Sequence, residues 1–390
     1  MTIYRFSILF NSKLMKGVID LYNKQILDFD CSELPDGLIS GKLGIVLYFL
    51  SLYDSRKENI YVERARSLLE EVFERANLQI GDHIYLYSSF SKGLTGLVYV
   101  LHLMYNDDLL DEDANELINE LSDIIFERSL KMFEEENFTF FDGPIGNLAM
   151  FNFIDDQARA EQLIDRLYHH CIENEYPFYT RLNDPYTDGI NLGMNYGYLS
   201  IINALLPHIG KNKKADLVVN RCLDLINKWL DLSYEMAGAY IYKPHNLTFK
   251  NSQLVPYQNN RLCWCNSDLS YTYILYKISQ QYPRMDTRNL ADRIGKETIK
   301  RRAFENTGIQ FAQFCHGTSG LTKLYSELAA IDPVYKHTEE YWLSRTIEYL
   351  EIDKNYVMDK SDLSLLFGKI GALMVMDHSI NSSKYLKFLF

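Results

Sequence analysis

Two cysteines and a histidine stand where their chemistry could hold a metal: Cys265 in RLCWCNSDLS, and Cys315 with His316 in FAQFCHGTSG. Two thiolates and one imidazole leave a fourth tetrahedral position open for water or substrate, as in catalytic zinc sites. The adjacent Cys315-His316 pair does not have zinc-finger spacing, and taken alone such a dipeptide reads as a packed core pair. Its place in the chain decides between the two readings. Cys263, two residues before Cys265, reads as a buried thiol on the loop. The cluster His169-His170-Cys171 lies in DRLYHHCIENE, an outer-helix pattern, and reads as solvated or packed histidines.

An internal repeat sets those places. A Gly-x-x-Gly-like signature precedes an apolar segment at Gly41-Lys42-Leu43-Gly44, Gly93-Leu94-Thr95-Gly96, Gly143-Pro144-Ile145-Gly146, Gly197-Tyr198-Leu199-Ser200, Gly317-Thr318-Ser319-Gly320 and Gly368-Lys369-Ile370-Gly371. A degenerate form, Ser267-Asp268-Leu269-Ser270, completes the series. The starts are separated by 52, 50, 54, 70, 50 and 51 residues, one helical hairpin per step. Between them run amphipathic stretches such as VERARSLLEEVFERAN (62–77), with apolar residues at three-to-four spacing, while the segments after the glycines are apolar nearly all round.

Polar outer helices around apolar inner ones predict an all-α fold, an α/α toroid of seven helical hairpins with inner and outer helix rings. Glycine at each inner-helix start is expected to permit close backbone approach at a shared rim and unusual φ values in the preceding turn. Cys265 and Cys315 both fall at the signature, where a core cysteine has no structural reason to be. Register therefore makes them, with His316, candidate zinc ligands, and helix N-termini favour their thiolate forms. The 70-residue step predicts a loop or short β-hairpin insertion near 237–258, a candidate lid just ahead of the cysteines. No low-complexity linker interrupts the series, so residues 1–390 read as a single domain.

Composition excludes several classes. Hydrophobic residues at 47% and charged residues at 24% describe a globular chain with a sizeable core. A net charge of −12, with bases scattered among acids, argues against nucleic acid as a partner. The sequence has neither an apolar run long enough to span a bilayer nor a secretion signal, and it reads as cytoplasmic. In that compartment the six cysteines are reduced thiols rather than a disulfide framework. The 29 tyrosines read as braces for long helices, or as the lining of a concave peptide-binding surface.

The seven signatures, the Trp264-Cys265 dipeptide and Cys315-His316-Gly317 with Gly320 resemble the lanthionine synthetase C family over essentially the whole chain. The resemblance implies an α/α toroid with one zinc ion, held by Cys265, Cys315 and His316. It implies cyclisation of ribosomal precursor peptides, by addition of a cysteine thiol to dehydroalanine or dehydrobutyrine. Arg261 matches the family's active-site arginine and Asp142 its aspartate. Two positions depart from the pattern: Tyr196 stands where the family has a histidine, and Asn266-Ser267 replace Tyr-Gly after the cysteine.

The expected function is a zinc-dependent lanthipeptide cyclase acting on a dehydrated precursor peptide, beside a dehydratase and a peptide exporter. Tyr196 would serve as the acid, Arg261 as the stabiliser of developing negative charge, and Asp142 as an orienting or proton-accepting group. The other reading of Asp142 is a cap on the third inner helix. The alternative function is a catalytically impaired zinc-containing protein that binds a peptide or glutathione. A glycan-processing barrel using Asp142 and Asp268 is a third reading, but it has no need of the cysteines and histidine in register.

Overall fold

The computed structural model describes residues 2–179, 189–251, 253–282, 285–377 and 384–390. Among these residues there are 15 α-helices. They are α1 (Thr2–Asp28), α2 (Lys42–Arg56), α3 (Asn59–Asn77), α4 (Leu94–Asn106), α5 (Asp113–Glu134), α6 (Pro144–Phe153), α7 (Gln157–Glu173) and α8 (Tyr198–Leu205), followed by α9 (Lys213–Asn227), α10 (Asp268–Gln281), α11 (Met285–Lys300), α12 (Phe304–Thr307), α13 (Thr318–Ala329), α14 (Lys336–Asp353) and α15 (Ile370–Met376). Contacts group the chain into two compact units, Met1–Ile84 with Ile309–Lys387 and Tyr85–Gly308 with Phe388–Phe390.

Two kinds of helix alternate. In α2 every residue from Lys42 to Leu52 is buried, and α15 is buried throughout. α3 instead buries Tyr61, Val62, Ala65, Leu68, Leu69, Val72 and Ala76, a single stripe at three-to-four spacing that leaves its other face to solvent. Except for α15, each buried helix packs on the amphipathic helix that follows it. In the first unit these pairs are α2 on α3 and α13 on α14; in the second they are α4 on α5, α6 on α7, α8 on α9 and α10 on α11. The inner and outer segments read from the sequence are these two classes.

The glycine signature works through close approach. Gly197, the N-cap of α8, has φ −144°, an extended conformation open to any residue, and the other glycine N-caps are similarly extended. The expectation of unusual φ values is therefore corrected. A Cβ on Gly197 would sit 2.1 Å from the Asn191 carbonyl oxygen, and one on Gly93 would sit 2.2 Å from that of Tyr87. The helix start folds onto the carbonyl about seven residues back, and backbone bonds seal it: Lys42 donates to Pro35 at 2.8 Å, Leu94 to Tyr87 at 2.9 Å, and Thr318 to Phe311 at 3.0 Å.

Two helix starts differ. At α10 the N-cap is Ser267, whose hydroxyl accepts from the Leu269 N–H at 3.2 Å while Ser270 Oγ accepts from the Ser267 N–H at 2.9 Å. This reciprocal capping box replaces the glycine. At α15 the helix begins at Ile370 with Lys369 as N-cap, so Gly368 lies just outside it, yet Lys369 still donates to the Asp362 carbonyl seven residues back at 2.6 Å.

The insertion contains two hairpins. Strands β1 (Ile190–Asn191), β4 (Asn246–Lys250) and β5 (Gln253–Tyr257) form an antiparallel sheet in the order β1-β4-β5, while β2 (Tyr234–Met236) pairs with β3 (Ala239–Ile241). Ala237 and Gly238 turn the latter hairpin with φ of 49° and 78°, the double positive φ that a two-residue hairpin loop requires. Its register pairs Tyr234 with Ile241, and β4 pairs with β5 from Asn246↔Tyr257 to Lys250↔Gln253.

Candidate metal centre

Cys265 belongs to the second unit, on the loop entering α10. The loop is anchored on both sides of the cysteine. Leu262 donates to the Thr307 carbonyl at 2.8 Å, and the buried Trp264 ring donates through Nε1 to the Leu389 carbonyl at 3.3 Å. The Cys265 carbonyl accepts from the Met194 N–H at 2.6 Å. Gly193 makes this approach possible, since a Cβ there would lie 2.6 Å from the same oxygen.

Cys315 and His316 belong to the first unit, immediately before Gly317, the N-cap of α13. The Cys315 N–H donates to the Leu366 carbonyl at 2.9 Å, and the His316 ring stacks on Phe367 with centroids 6.0 Å apart. His316 Nε2 lies 3.8 Å from Cys315 Sγ. Tetrahedral zinc with ordinary Zn–S and Zn–N bonds separates sulfur from nitrogen by about 3.6 Å. Cys265 Sγ joins these two atoms in a group whose ligand atoms all lie within 4.8 Å of one another, the one such cluster among the described residues. Both cysteines are buried and His316 is partly exposed. The group could therefore hold a metal ion.

Asp142, Tyr196 and Cys265 sit on successive rungs of a backbone ladder within the second unit. Ser91 donates to the Phe141 carbonyl at 3.1 Å, Phe140 to that of Asn195 at 2.9 Å, and Met194 to that of Cys265. Asp142 is exposed and its carboxylate accepts from Ser91 Oγ. It caps no helix, because the N-cap of α6 is Gly143. Tyr196 is half-buried, one residue before the N-cap of α8. Arg261 is half-buried against Gly308; its N–H donates to Asn259 Oδ1 at 2.8 Å, and among the described residues its guanidinium makes no ion pair.

Behind Cys265 lies a buried polar network that sequence reasoning missed. Asp268 accepts from the Lys243 N–H at 2.8 Å, the Tyr242 N–H at 3.2 Å and Arg301 Nη1 at 3.0 Å. Arg301 is fully buried and also donates to the carbonyls of Asn306 and Asn260, at 2.8 and 2.6 Å. The Lys243 ammonium donates to Asn266 Oδ1 and to the Pro244 carbonyl. Burial pushes Lys243 down to about 8, against the opposing pull of Asp268, Cys263 and Cys265. Asn266 Nδ2 reaches the His245 carbonyl at 2.9 Å. These bonds tie the insertion to Asp268 at the start of α10, and they occupy the carboxylate that a glycan-processing reading would need. Only the Lys-Pro-His run and the polar residues after Cys265 hinted at such a network.

His169-His170-Cys171 behaves as read. His170 packs on Phe138 at 4.4 Å and burial lowers its pKa, while burial pushes the Cys171 thiol up to about 11. Among the described residues, no helix is long and apolar enough to cross a membrane.

Alternating buried and one-faced helices, with a Cys-Cys-His cluster at two of the signature sites, define a helical-repeat protein with a candidate metal centre. The chain belongs to the lanthionine synthetase C-like family: the profile described as "Lanthionine synthetase C-like protein" matches residues 32–331. Among solved structures it is similar to nisin cyclase, with 19% identity, 97% of each chain covered and a TM-score of 0.73. The fold is thus an α/α toroid. A second structural match is an inactive variant of an α-1,6-mannanase of Salegentibacter sp. HEL1_6 in complex with α-1,6-mannotetrose, at 10% identity, covering 95% of this chain and 99% of that one with a TM-score of 0.45. No curated protein sequence matches the chain.

Proposed function

We propose that this protein is a zinc-dependent lanthipeptide cyclase, joining a peptide cysteine to dehydroalanine or dehydrobutyrine through a thioether. The observation that carries this reading is the Cys265, Cys315 and His316 cluster, whose ligand atoms all lie within 4.8 Å of one another. Family membership and the likeness to nisin cyclase support it. Residues 1–390 act as one domain in the cytoplasm, on a dehydrated precursor peptide supplied by a dehydratase and passed to an exporter.

Cys265, Cys315 and His316 would hold the ion. When bound, zinc supplies Lewis acidity that lowers the pKa of an incoming thiol. The chain's own residues do the rest. The new bond joins sulfur to the β-carbon, and the thiol proton is replaced by one delivered to the α-carbon. Asp142 accepts the first proton. Arg261, whose guanidinium has no competing ion pair among the described residues, stabilises the negative charge that develops on the adjacent carbonyl oxygen. Tyr196 donates the second proton from its hydroxyl.

A second reading is a catalytically impaired zinc protein that retains a peptide or a glutathione-like thiol. Tyr196 favours it, because an imidazole is better matched to proton transfer near neutral pH. Asn266 favours it too, since its side chain is engaged with Lys243 and His245.

Zinc per chain, measured by elemental mass spectrometry on wild type and Cys315→Ala, tests the common premise. Near one equivalent in wild type and its loss in the variant are expected, and a metal-free wild type from zinc-replete cells would refute both readings. Cyclisation by Tyr196→His separates them. A gain marks a decayed acid position, and a loss marks tyrosine as the working acid.

A further inference from the structure

Cys263 has no part in the mechanism above, yet its sulfur lies 3.4 Å from that of Cys265. The turn holds it there. The Asn266 N–H donates to Cys263 Sγ at 3.4 Å, and Ser267 Oγ donates to the Cys263 carbonyl at 2.6 Å, so residues 263–267 curl back on themselves. A disulfide bond is about 2.05 Å long, so the two sulfurs need approach by only about 1.4 Å, within reach of side-chain rotation. Cys263 is wholly buried, while Cys265 retains 6% exposure, enough to meet a small oxidant before its neighbour does.

We propose that Cys263 and Cys265 are a dithiol that hydrogen peroxide closes to a disulfide, removing Cys265 from the ligand set and protecting it from irreversible oxidation. The Cys265 sulfur attacks one peroxide oxygen, the O–O bond breaks, and water leaves, giving a sulfenic acid on Cys265. The Cys263 sulfur then attacks the Cys265 sulfur, the S–O bond breaks, and the departing hydroxide takes the Cys263 proton as a second water. Each sulfur gives up one electron, and the peroxide takes both. Burial raises the pKa of Cys31, Cys171 and Cys222, which keeps them as unreactive thiols.

The consequence for metal retention rests on the zinc reading; the linkage itself does not. Purified full-length protein, zinc-loaded and separately metal-free, is treated with hydrogen peroxide. Intact mass is then recorded, and linkages are mapped by non-reducing digestion after alkylation. A loss of about 2 Da, a Cys263–Cys265 link and reversal by dithiothreitol are expected in both preparations, with zinc released from the loaded one. Cys263→Ser and Cys263→Ala should instead gain about 32 Da as a sulfinic acid on Cys265, and recover about ten-fold less zinc binding after dithiothreitol. A Cys265–Cys315 link would overturn the proposal. So would variants, folded by circular dichroism, that show the wild-type mass loss and recovery. Because the linkage is also read on metal-free protein, its failure is distinguishable from failure of the zinc reading.

Discussion

His208 shows how burial couples a single side chain to pH. It lies just after α8 with Nε2 2.7 Å from Asn152 Oδ1. Burial, and then the Lys211 charge, push its pKa below the ordinary value of 6.5, while Glu161 opposes them. The folded state therefore holds the neutral ring more firmly than the unfolded chain does. The stabilisation is present above the unfolded pKa and lost as pH falls through it toward the folded value. His208→Gln keeps an amide donor for Asn152 and has no proton to gain. Its urea midpoint should fall less than that of wild type between about pH 7 and pH 5, and equal losses in the two proteins would assign the acid sensitivity elsewhere. Titration of this kind could not be read from LLPHIGK, because burial is contributed by residues distant in sequence. The candidate ligands Cys265 and Cys315 were legible for the opposite reason: their register in the repeat is a sequence property. Lys243 was not, since its partners Asp268 and Asn266 lie more than twenty residues away.

At the scale of elements, the repeat was readable because a helix start pressed onto a carbonyl admits only glycine. Gly197→Ala places a methyl 2.1 Å from the Asn191 oxygen, an overlap that only backbone movement relieves. It should destabilise the protein by about 3 kcal/mol. Gly17, inside α1, has nothing within 4 Å of the place an added methyl would take, so Gly17→Ala should stabilise by about 0.5–1 kcal/mol through helix propensity. Chemical denaturation of the two variants checks both signs; matching signs would show that close approach is not what fixes these glycines. The degenerate fifth signature fits the same logic, since the Ser267 and Ser270 hydroxyls make the bonds at that start. The insertion was foreseen as a loop or short β-hairpin, but its ties to Asp268 were not. Arg301 and Asp268 are buried together at 3.0 Å, and removing one member of such a pair leaves the other charge uncompensated. Asp268→Ala should therefore cost about 3–5 kcal/mol. Hydrogen exchange should show protection lost first in β3 and β4, whose connection Asp268 holds through Tyr242 and Lys243. Unchanged protection there would mean that the sheet with β1 and β5 suffices to fix the insertion.

At the scale of the whole molecule, the match to nisin cyclase at 19% identity over 97% of the chain shows that the fold tolerates nearly complete change of sequence. In this chain the pressed helix starts are a backbone requirement, whereas the residues filling the core need only be apolar and of suitable volume. A metal adds a different kind of constraint, because a ligand bound by the native chain and not by the unfolded one shifts the folding equilibrium. Free zinc at a hundred-fold excess over its Kd stabilises the native state by about 2.7 kcal/mol. An unfolding entropy of about 2.1 cal/mol/K per residue, taken over 390 residues, amounts to about 0.8 kcal/mol/K, so the melting temperature should rise by about 3 °C. Wild type stripped by a chelator and titrated with zinc should show that rise in a thermal scan. Cys315→Ala should not, because the two remaining donors form a weaker site. An equal rise in both proteins would place the zinc away from Cys265, Cys315 and His316, and no rise in either would mean that the cluster binds too weakly to shape the stability of the fold.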